Sequence, residues 1–138
     1  GGKAVVITGD GSLQVNSQEL DTLNRLQLDI AIIVMNNASL GMVKNFQDMY
    51  FDGRNQSTKR GYSCPSFSKL AAAYGIAAYE VRNDGEFKIS LNQIKDHKGP
   101  LLIELIMEEA TECRPRLVFG RKLDEQLPEF NVAQKCIP

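Results

Sequence analysis

A three-layer α/β domain with a mostly parallel central sheet is the fold this sequence predicts, and three observations predict it. Lys3-Ala4-Val5-Val6-Ile7-Thr8 and Ile30-Ala31-Ile32-Ile33-Val34-Met35 are short, β-branched and apolar on every face, as strands covered on both sides of a parallel sheet tend to be. Between them Leu20, Leu23 and Leu26 recur at helical spacing behind Asn16 and Glu19, a pair that fits a capping box. A right-handed crossover of that length lays the two strands side by side with their carboxyl ends on one edge. Open α/β sheets bind ligands at that edge.

The other elements follow in chain order. Gly41 to about Met49 reads as a short helix carrying Met42, Val43 and Phe46. Asp52 to Cys64 is rich in Gly, Ser, Asn and charge, which predicts a mobile surface loop of the kind used as an active-site lid. Ser66 caps a helix that runs to Tyr74 and is ended by Gly75. Ala77 to Val81 is a short strand, Phe87 to about Lys95 an amphipathic helix, and Leu101 to Met107 the last buried strand. Beyond Glu109 no helical or strand period persists, and Pro115, Pro128 and Pro138 disfavour a long element. The expected division is therefore a binding domain over residues 1–109 and a carboxy-terminal tail over residues 110–138.

A chain of 138 residues suffices for one ordinary core. Its formal charge of -1, with both signs mixed along the chain, argues against nucleic acid or a membrane surface as a partner. No signal-like start or long apolar segment is present, so the cytoplasm is the expected location. Cys64, Cys113 and Cys136 are odd in number and lack metal-ligand spacing, which predicts reduced thiols. His97 lies in the polar turn Asp96-His97-Lys98-Gly99-Pro100 and reads as a solvated loop residue without a catalytic role. Lys59-Arg60 with Lys44 and Arg54 reads as a solvated basic face, with a substrate carboxylate site as the alternative.

The chemistry concentrates in the turns after the first two strands, Gly9-Asp10-Gly11-Ser12 and Asn36-Asn37. Asp10 offers a carboxylate, Asn37 an amide oxygen, and the turn after Asn37 a backbone carbonyl, that of Ser39. This all-oxygen set suits Mg²⁺, which completes its shell with phosphate oxygens and water. Gly9 and Gly11 allow close approach of the backbone to a ligand, the amides of Gly11 and Ser12 can face phosphate oxygens, and Gly41 extends this on the second loop. With little cationic help nearby in sequence, the metal must neutralise a diphosphate, and the two bind interdependently. Asp-Gly and Asn-Asn are each common turn pairs; their joint placement after two buried strands is what points to a site. A dinucleotide fingerprint fails because Gln14 stands where its third glycine belongs, and no P-loop sequence occurs.

Gly9-Asp10-Gly11-Ser12 followed at this spacing by Asn36-Asn37 resembles the thiamine-diphosphate motif. Gln18-Glu19-Leu20-Asp21-Thr22, Leu40-Gly41-Met42-Val43 and the Pro65-Ser66-Phe67-Ser68-Lys69-Leu70-Ala71-Ala72-Ala73-Tyr74-Gly75 stretch are similar to the acetohydroxyacid (acetolactate) synthase branch of that family. The resemblance implies the three-layer thiamine-diphosphate-binding fold, with thiamine diphosphate and Mg²⁺ as cofactors. It makes Asp10, Asn37 and the Ser39 carbonyl the metal ligands, and sets Gly9, Gly11, Ser12, Asn37, Leu40, Gly41 and Met42 around the cofactor. Met42, Val43 and Phe46 then face the substrate side of the thiazolium.

The implied enzyme decarboxylates a 2-oxo acid such as pyruvate and joins the product to a second carbonyl compound. The alternatives are a 2-oxo acid decarboxylase or other carboligase of the same superfamily, or a non-catalytic assembly module. In that family the activating glutamate and the prop for the bent cofactor lie outside the region matched here. No catalytic residue is therefore expected in this chain, which alone should be inactive. Pyrimidine-binding and central domains are the implied partners, in a homo-oligomer. Where many acetohydroxyacid synthases carry a tryptophan four residues after the motif methionine, Phe46 stands here, which points away from a preference for the longer acceptor.

Overall fold

The structure, a computed structural model, describes residues 2–112 and 114–128; Cys113, Cys136 and Pro138 lie outside the described residues. Its order is β1 (Ala4–Gly9), α1 (Asp10–Val15), α2 (Glu19–Arg25), β2 (Ile30–Asn36), α3 (Gly41–Tyr50), α4 (Phe67–Ala73), β3 (Ala77–Val81), α5 (Asp84–Asp96) and β4 (Leu101–Ile106). Two short strands, β5 (Arg116–Leu117) and β6 (Gln126–Leu127), follow and pair antiparallel. The central sheet has four strands in the order β1-β2-β4-β3, all parallel.

Strand alternation divides the core between the two sheet faces. On one face Ile32, Val34 and Leu102 pack with Leu13 of α1, Leu20 of α2, and Phe67 and Ala71 of α4. On the other, Ala31, Leu101, Ile103 and Val81 meet Phe87 and Ile94 of α5. The three layers and the parallel sheet expected from the sequence are both present.

Several local expectations are corrected. β1 is an outer strand of the described sheet, so its apolar run is not covered on both faces: Val5 is 51% and Ile7 70% exposed. The single capped helix between the first two strands is two helices. Asn16 ends the first of them, where its Nδ2 donates to the Ser12 carbonyl at 3.1 Å and relieves one of the carbonyls a helix end leaves unpaired. The capping box does not form because α2 begins at Glu19 itself, with Gln18 rather than Asn16 in the capping position and no side-chain cap there. α5 starts earlier than its apolar period suggests because Asn83 Oδ1 accepts from Glu86 N at 3.0 Å. The Ser66 cap and the left-handed Gly75, at φ +76°, are as expected.

The segment beyond Glu109 returns over α3. Arg116 Nη1 donates to Asn45 Oδ1 at 3.0 Å, the Phe119 amide donates to the Tyr50 hydroxyl at 2.7 Å, and the two rings meet edge-on at 6.4 Å.

Phe67 is wholly buried where α4 meets the sheet. Phe67→Ala should lower the unfolding free energy by about 3–5 kcal/mol. Val5→Ala, on the exposed edge, should cost about 0.5 kcal/mol or less. Denaturant titration of both variants checks the contrast.

Candidate functional site

Parallel register puts Gly9 opposite Met35, so the turns beginning at Asp10 and Asn36 leave the sheet side by side at its carboxyl edge. They are joined directly. Asp10 is 2% exposed and its Oδ2 accepts from the Ser39 amide at 3.2 Å. Asn37 is held from the other side: its Nδ2 donates to the Thr111 carbonyl at 2.7 Å, and its own carbonyl accepts from Ala110 N at 2.7 Å. Fixing the amide nitrogen leaves Oδ1 as the free acceptor of that side chain. Ala38, between Asn37 and Ser39, is left-handed, with φ +49°.

A cavity of about 840 Å³ opens over this edge and is lined by Gly9, Asp10, Gly11, Ser12, Asn37, Ser39, Leu40, Gly41, Met42 and Val43. Phe46 does not line it. Its ring packs against Tyr50 at 4.7 Å and Phe51 at 5.9 Å, and it borders a neighbouring cavity of about 350 Å³ with Arg116 and Phe119. Met42 lines both cavities and is the only one of the three predicted substrate-side residues to do so.

Gly11 in α1 and Gly41 at the start of α3 contribute space. A Cβ on Gly11 would collide with the Leu40 side chain, and one on Gly41 would stand 3.2 Å from Asn37 Nδ2. The Leu40 and Gly41 amides are already engaged, by the Thr58 carbonyl at 2.9 Å and the Ser39 carbonyl at 2.9 Å. Gly11 and Ser12, in the first turn of α1, have no intrahelical acceptor for their amides.

These residues fit a hard cation bound together with an anionic ligand. Asp10, Asn37 Oδ1 and the Ser39 carbonyl are oxygen donors of the type Mg²⁺ selects. Among the described residues no group of three or more His, Cys, Asp or Glu side chains is placed to hold a metal. With one carboxylate and two neutral oxygens, this edge holds a cation better when the ligand brings anionic oxygens of its own. One cation does reach the cavity wall, contrary to the impression of the local sequence: Arg114, which is paired with Glu112 at 2.7 Å. Lys44 does not join a basic cluster. It pairs with Asp48 at 2.7 Å and Glu112 at 3.5 Å, and the hydrogen bond to Asp48 raises its pKa.

Several site residues are invisible to motif reading. The loop over Asp52 to Cys64, read as a lid, contains a buried prop: Thr58 is 2% exposed, donates from Oγ1 to Gln47 Oε1 at 2.6 Å, and offers its carbonyl to Ser39 Oγ at 2.9 Å as well as to Leu40 N. Tyr62 from the same loop reaches Gln14 Oε1 at 3.4 Å. Burial first, and then the Asp10 charge, push both the Tyr62 phenol and the Cys64 thiol above their ordinary pKa values. The signal available for one further residue was its setting, since Glu104 is the only charge in Leu101-Leu102-Ile103-Glu104-Leu105-Ile106.

Residues 1–105 match the family described as thiamine pyrophosphate enzyme, C-terminal TPP binding domain. The chain is 35% identical to the acetolactate synthase large subunit of Cyanidium caldarium over 89% of its own length and 21% of that protein's. It is 34% identical to the large subunit of Haemophilus influenzae over 91% of its length and 22% of that protein's. It thus spans about a fifth of the curated relatives it matches. Among solved structures, the Rhodococcus jostii RHA1 thiamine diphosphate-dependent 4-hydroxybenzoylformate decarboxylase superposes with a TM-score of 0.69 at 23% identity, over 78% of this chain and 20% of that one. That likeness establishes the fold.

Thr58→Val removes the hydroxyl that satisfies Gln47 Oε1 while keeping the side chain's shape. It should cost about 1–3 kcal/mol of stability and speed hydrogen exchange at the Leu40 amide, which amide exchange followed by NMR would read. Unchanged exchange at Leu40 would show that the loop does not brace the site.

Proposed function

The chain belongs to the C-terminal TPP-binding domain family of thiamine pyrophosphate enzymes, and from that premise we propose that it is the diphosphate- and Mg²⁺-binding part of an acetolactate synthase-like enzyme. The observation that carries this reading is the convergence of Asp10 and Asn37 on one cavity above the sheet edge. The kinship with acetolactate synthase large subunits supports the choice of branch.

In this reading Asp10, Asn37 Oδ1 and the Ser39 carbonyl would hold Mg²⁺, whose charge would offset that of the diphosphate. Gly9 and Gly11 keep the floor low, and the amides of Gly11 and Ser12, which have no intrahelical acceptor, would be available to the phosphate oxygens. Leu40, Gly41 and Met42 wall the cofactor. Met42 and Val43, 71% and 51% exposed here, stand toward the substrate and keep water from the reacting centre. Thiamine diphosphate, when bound, supplies the electron sink that lets a 2-oxo acid lose carbon dioxide and its remaining carbon add to a second carbonyl. This chain's residues bind and orient. The group that activates the cofactor, the pyrimidine-binding and central domains and the homo-oligomeric, cytoplasmic setting belong to the larger enzyme, with pyruvate as the representative substrate. The chain alone is accordingly inactive.

Phe46 acts at one remove in this reading. It lies in the cavity next to the cofactor site, linked to it through Met42, and influences acceptor choice from there. A 2-oxo acid decarboxylase or other carboligase of the same superfamily is the alternative it favours over branched-chain biosynthesis.

Two outcomes are expected of the full-length enzyme. Asp10→Ala should abolish Mg²⁺-dependent thiamine diphosphate binding in calorimetry while the chain still folds, at a cost of about 1–3 kcal/mol for the Ser39 amide left without its acceptor; equal affinity with and without a chelator would sink the metal site. Phe46→Trp should change the product ratio from two competing acceptors by roughly 1–3 kcal/mol, the range for apolar pocket discrimination. An unaltered ratio would leave Phe46 as a packing residue of α3.

A further inference from the structure

The single charge in β4, Glu104, is 1% exposed, and its described partners are two neutral N–H donors rather than a cation. Oε1 accepts from Asn36 Nδ2 at 2.8 Å, and Oε2 accepts from the Ser68 amide at 2.8 Å. A carboxylate buried at this depth is costly unless both oxygens are well bonded. Its position is informative, because Asn36 is the residue immediately before the site turn. With Nδ2 committed to Glu104, the Asn36 amide turns Oδ1 toward Ala38 N, which donates to it at 3.1 Å. Ala38 has φ +49°, a conformation that residues with a Cβ seldom adopt and that needs support from its surroundings. On either side of Ala38 stand Asn37 and Ser39, and Ser39 N is bonded to Asp10.

We infer that Glu104 is a positioning residue: acting through the Asn36 side chain, it holds the Asn37-Ala38-Ser39 turn in the left-handed form that presents the Asn37 and Ser39 oxygens to the cavity. The inference rests on the proposed function for what binds there. The clamp itself is a matter of hydrogen-bond polarity. Both partners of Glu104 are donors, so only a group with two acceptors serves both. An amide at position 104 has one acceptor and one donor. If it keeps Ser68, it faces Asn36 donor to donor, and Asn36 relieves the clash by flipping, which turns Nδ2 toward the Ala38 amide.

Glu104→Gln combined with Asn36→Asp restores every donor–acceptor pair: the introduced amide accepts from Ser68 N and donates to one oxygen of the introduced carboxylate, whose other oxygen accepts from Ala38 N. The total charge of the pair is unchanged.

The test is made on the full-length enzyme with two readouts, Mg²⁺-dependent thiamine diphosphate affinity by calorimetry and, without ligand, hydrogen exchange at the Ala38 amide by mass spectrometry. Glu104→Gln should weaken affinity by about ten- to a hundredfold, the usual cost of losing a partner that orients a metal ligand, and speed exchange at Ala38; the double variant should recover both. Asn36→Ala keeps the Ser68 amide on Glu104 and breaks the link to the turn by a different change, losing with it the Glu104 Oε1 donor and the Cys64 Sγ contact at 3.5 Å, so it should reproduce the loss even if Glu104→Gln folds poorly. Parental affinity in Glu104→Gln and Asn36→Ala, or a double variant no better than the single one, overturns the inference. Asp10→Ala is measured in parallel. Loss there with parental affinity in the Glu104 and Asn36 variants refutes the clamp alone, whereas parental affinity in Asp10→Ala refutes the metal-site reading on which the clamp depends.

Discussion

The parallel ladder between β1 and β2 sets Gly9 against Met35, and that register turns two ordinary loops into one site. A slip of one residue would send alternate side chains to the opposite face of the sheet. Leu13 and Leu20 would then lose the surface formed by Ile32 and Val34 on which they pack, and Asp10 would no longer stand beside Ser39. The core and the site thus share a single constraint. The apolar packing that fixes the register also sets the distance between the two turns.

What could be read from the sequence was what is local. β-branched runs announce strands without help from the rest of the chain, and an Asp-Gly turn and an Asn-Asn turn placed after such runs announce an oxygen-lined edge. Where the reading failed, the deciding partner was remote or mundane. Asn16 looked like a helix cap because the pattern with Glu19 is a good one, yet α2 starts only at Glu19, so Asn16 stands too far ahead of it and its amide nitrogen donates back to the Ser12 carbonyl instead. Thr58 carries no motif at all; its role follows from meeting Gln47 and Leu40 across a loop. Phe46 shares a helix face with Met42, as i and i+4 residues do. The segment from Arg116 to Phe119 then divides that face between two cavities, and no period in the sequence foretells where it goes.

Charge around the site is arranged in pairs that cancel. Lys44 lies between Asp48 and Glu112, and Glu112 also holds Arg114. Lys44 is shielded enough that the pair with Asp48 resists screening better than a surface bridge does. The consequence for binding is that little unpaired positive charge among the described residues faces the cavity. A cation carried in with the ligand is the simplest way to neutralise a diphosphate at this edge, and a site built from hard oxygens is suited to it.

The hydrogen bond from Asn37 Nδ2 to the Thr111 carbonyl links the site to the stretch that crosses α3. Coupling of this kind is reciprocal by thermodynamic necessity. If docking of residues 107–111 orients Asn37 for a ligand, then occupancy of the cavity must strengthen that docking by the same factor. The crossing stretch is thereby a reporter. Its resistance to a protease would rise with saturation of the site, at a ligand concentration set by the affinity, although no described residue beyond Arg114 lines the cavity.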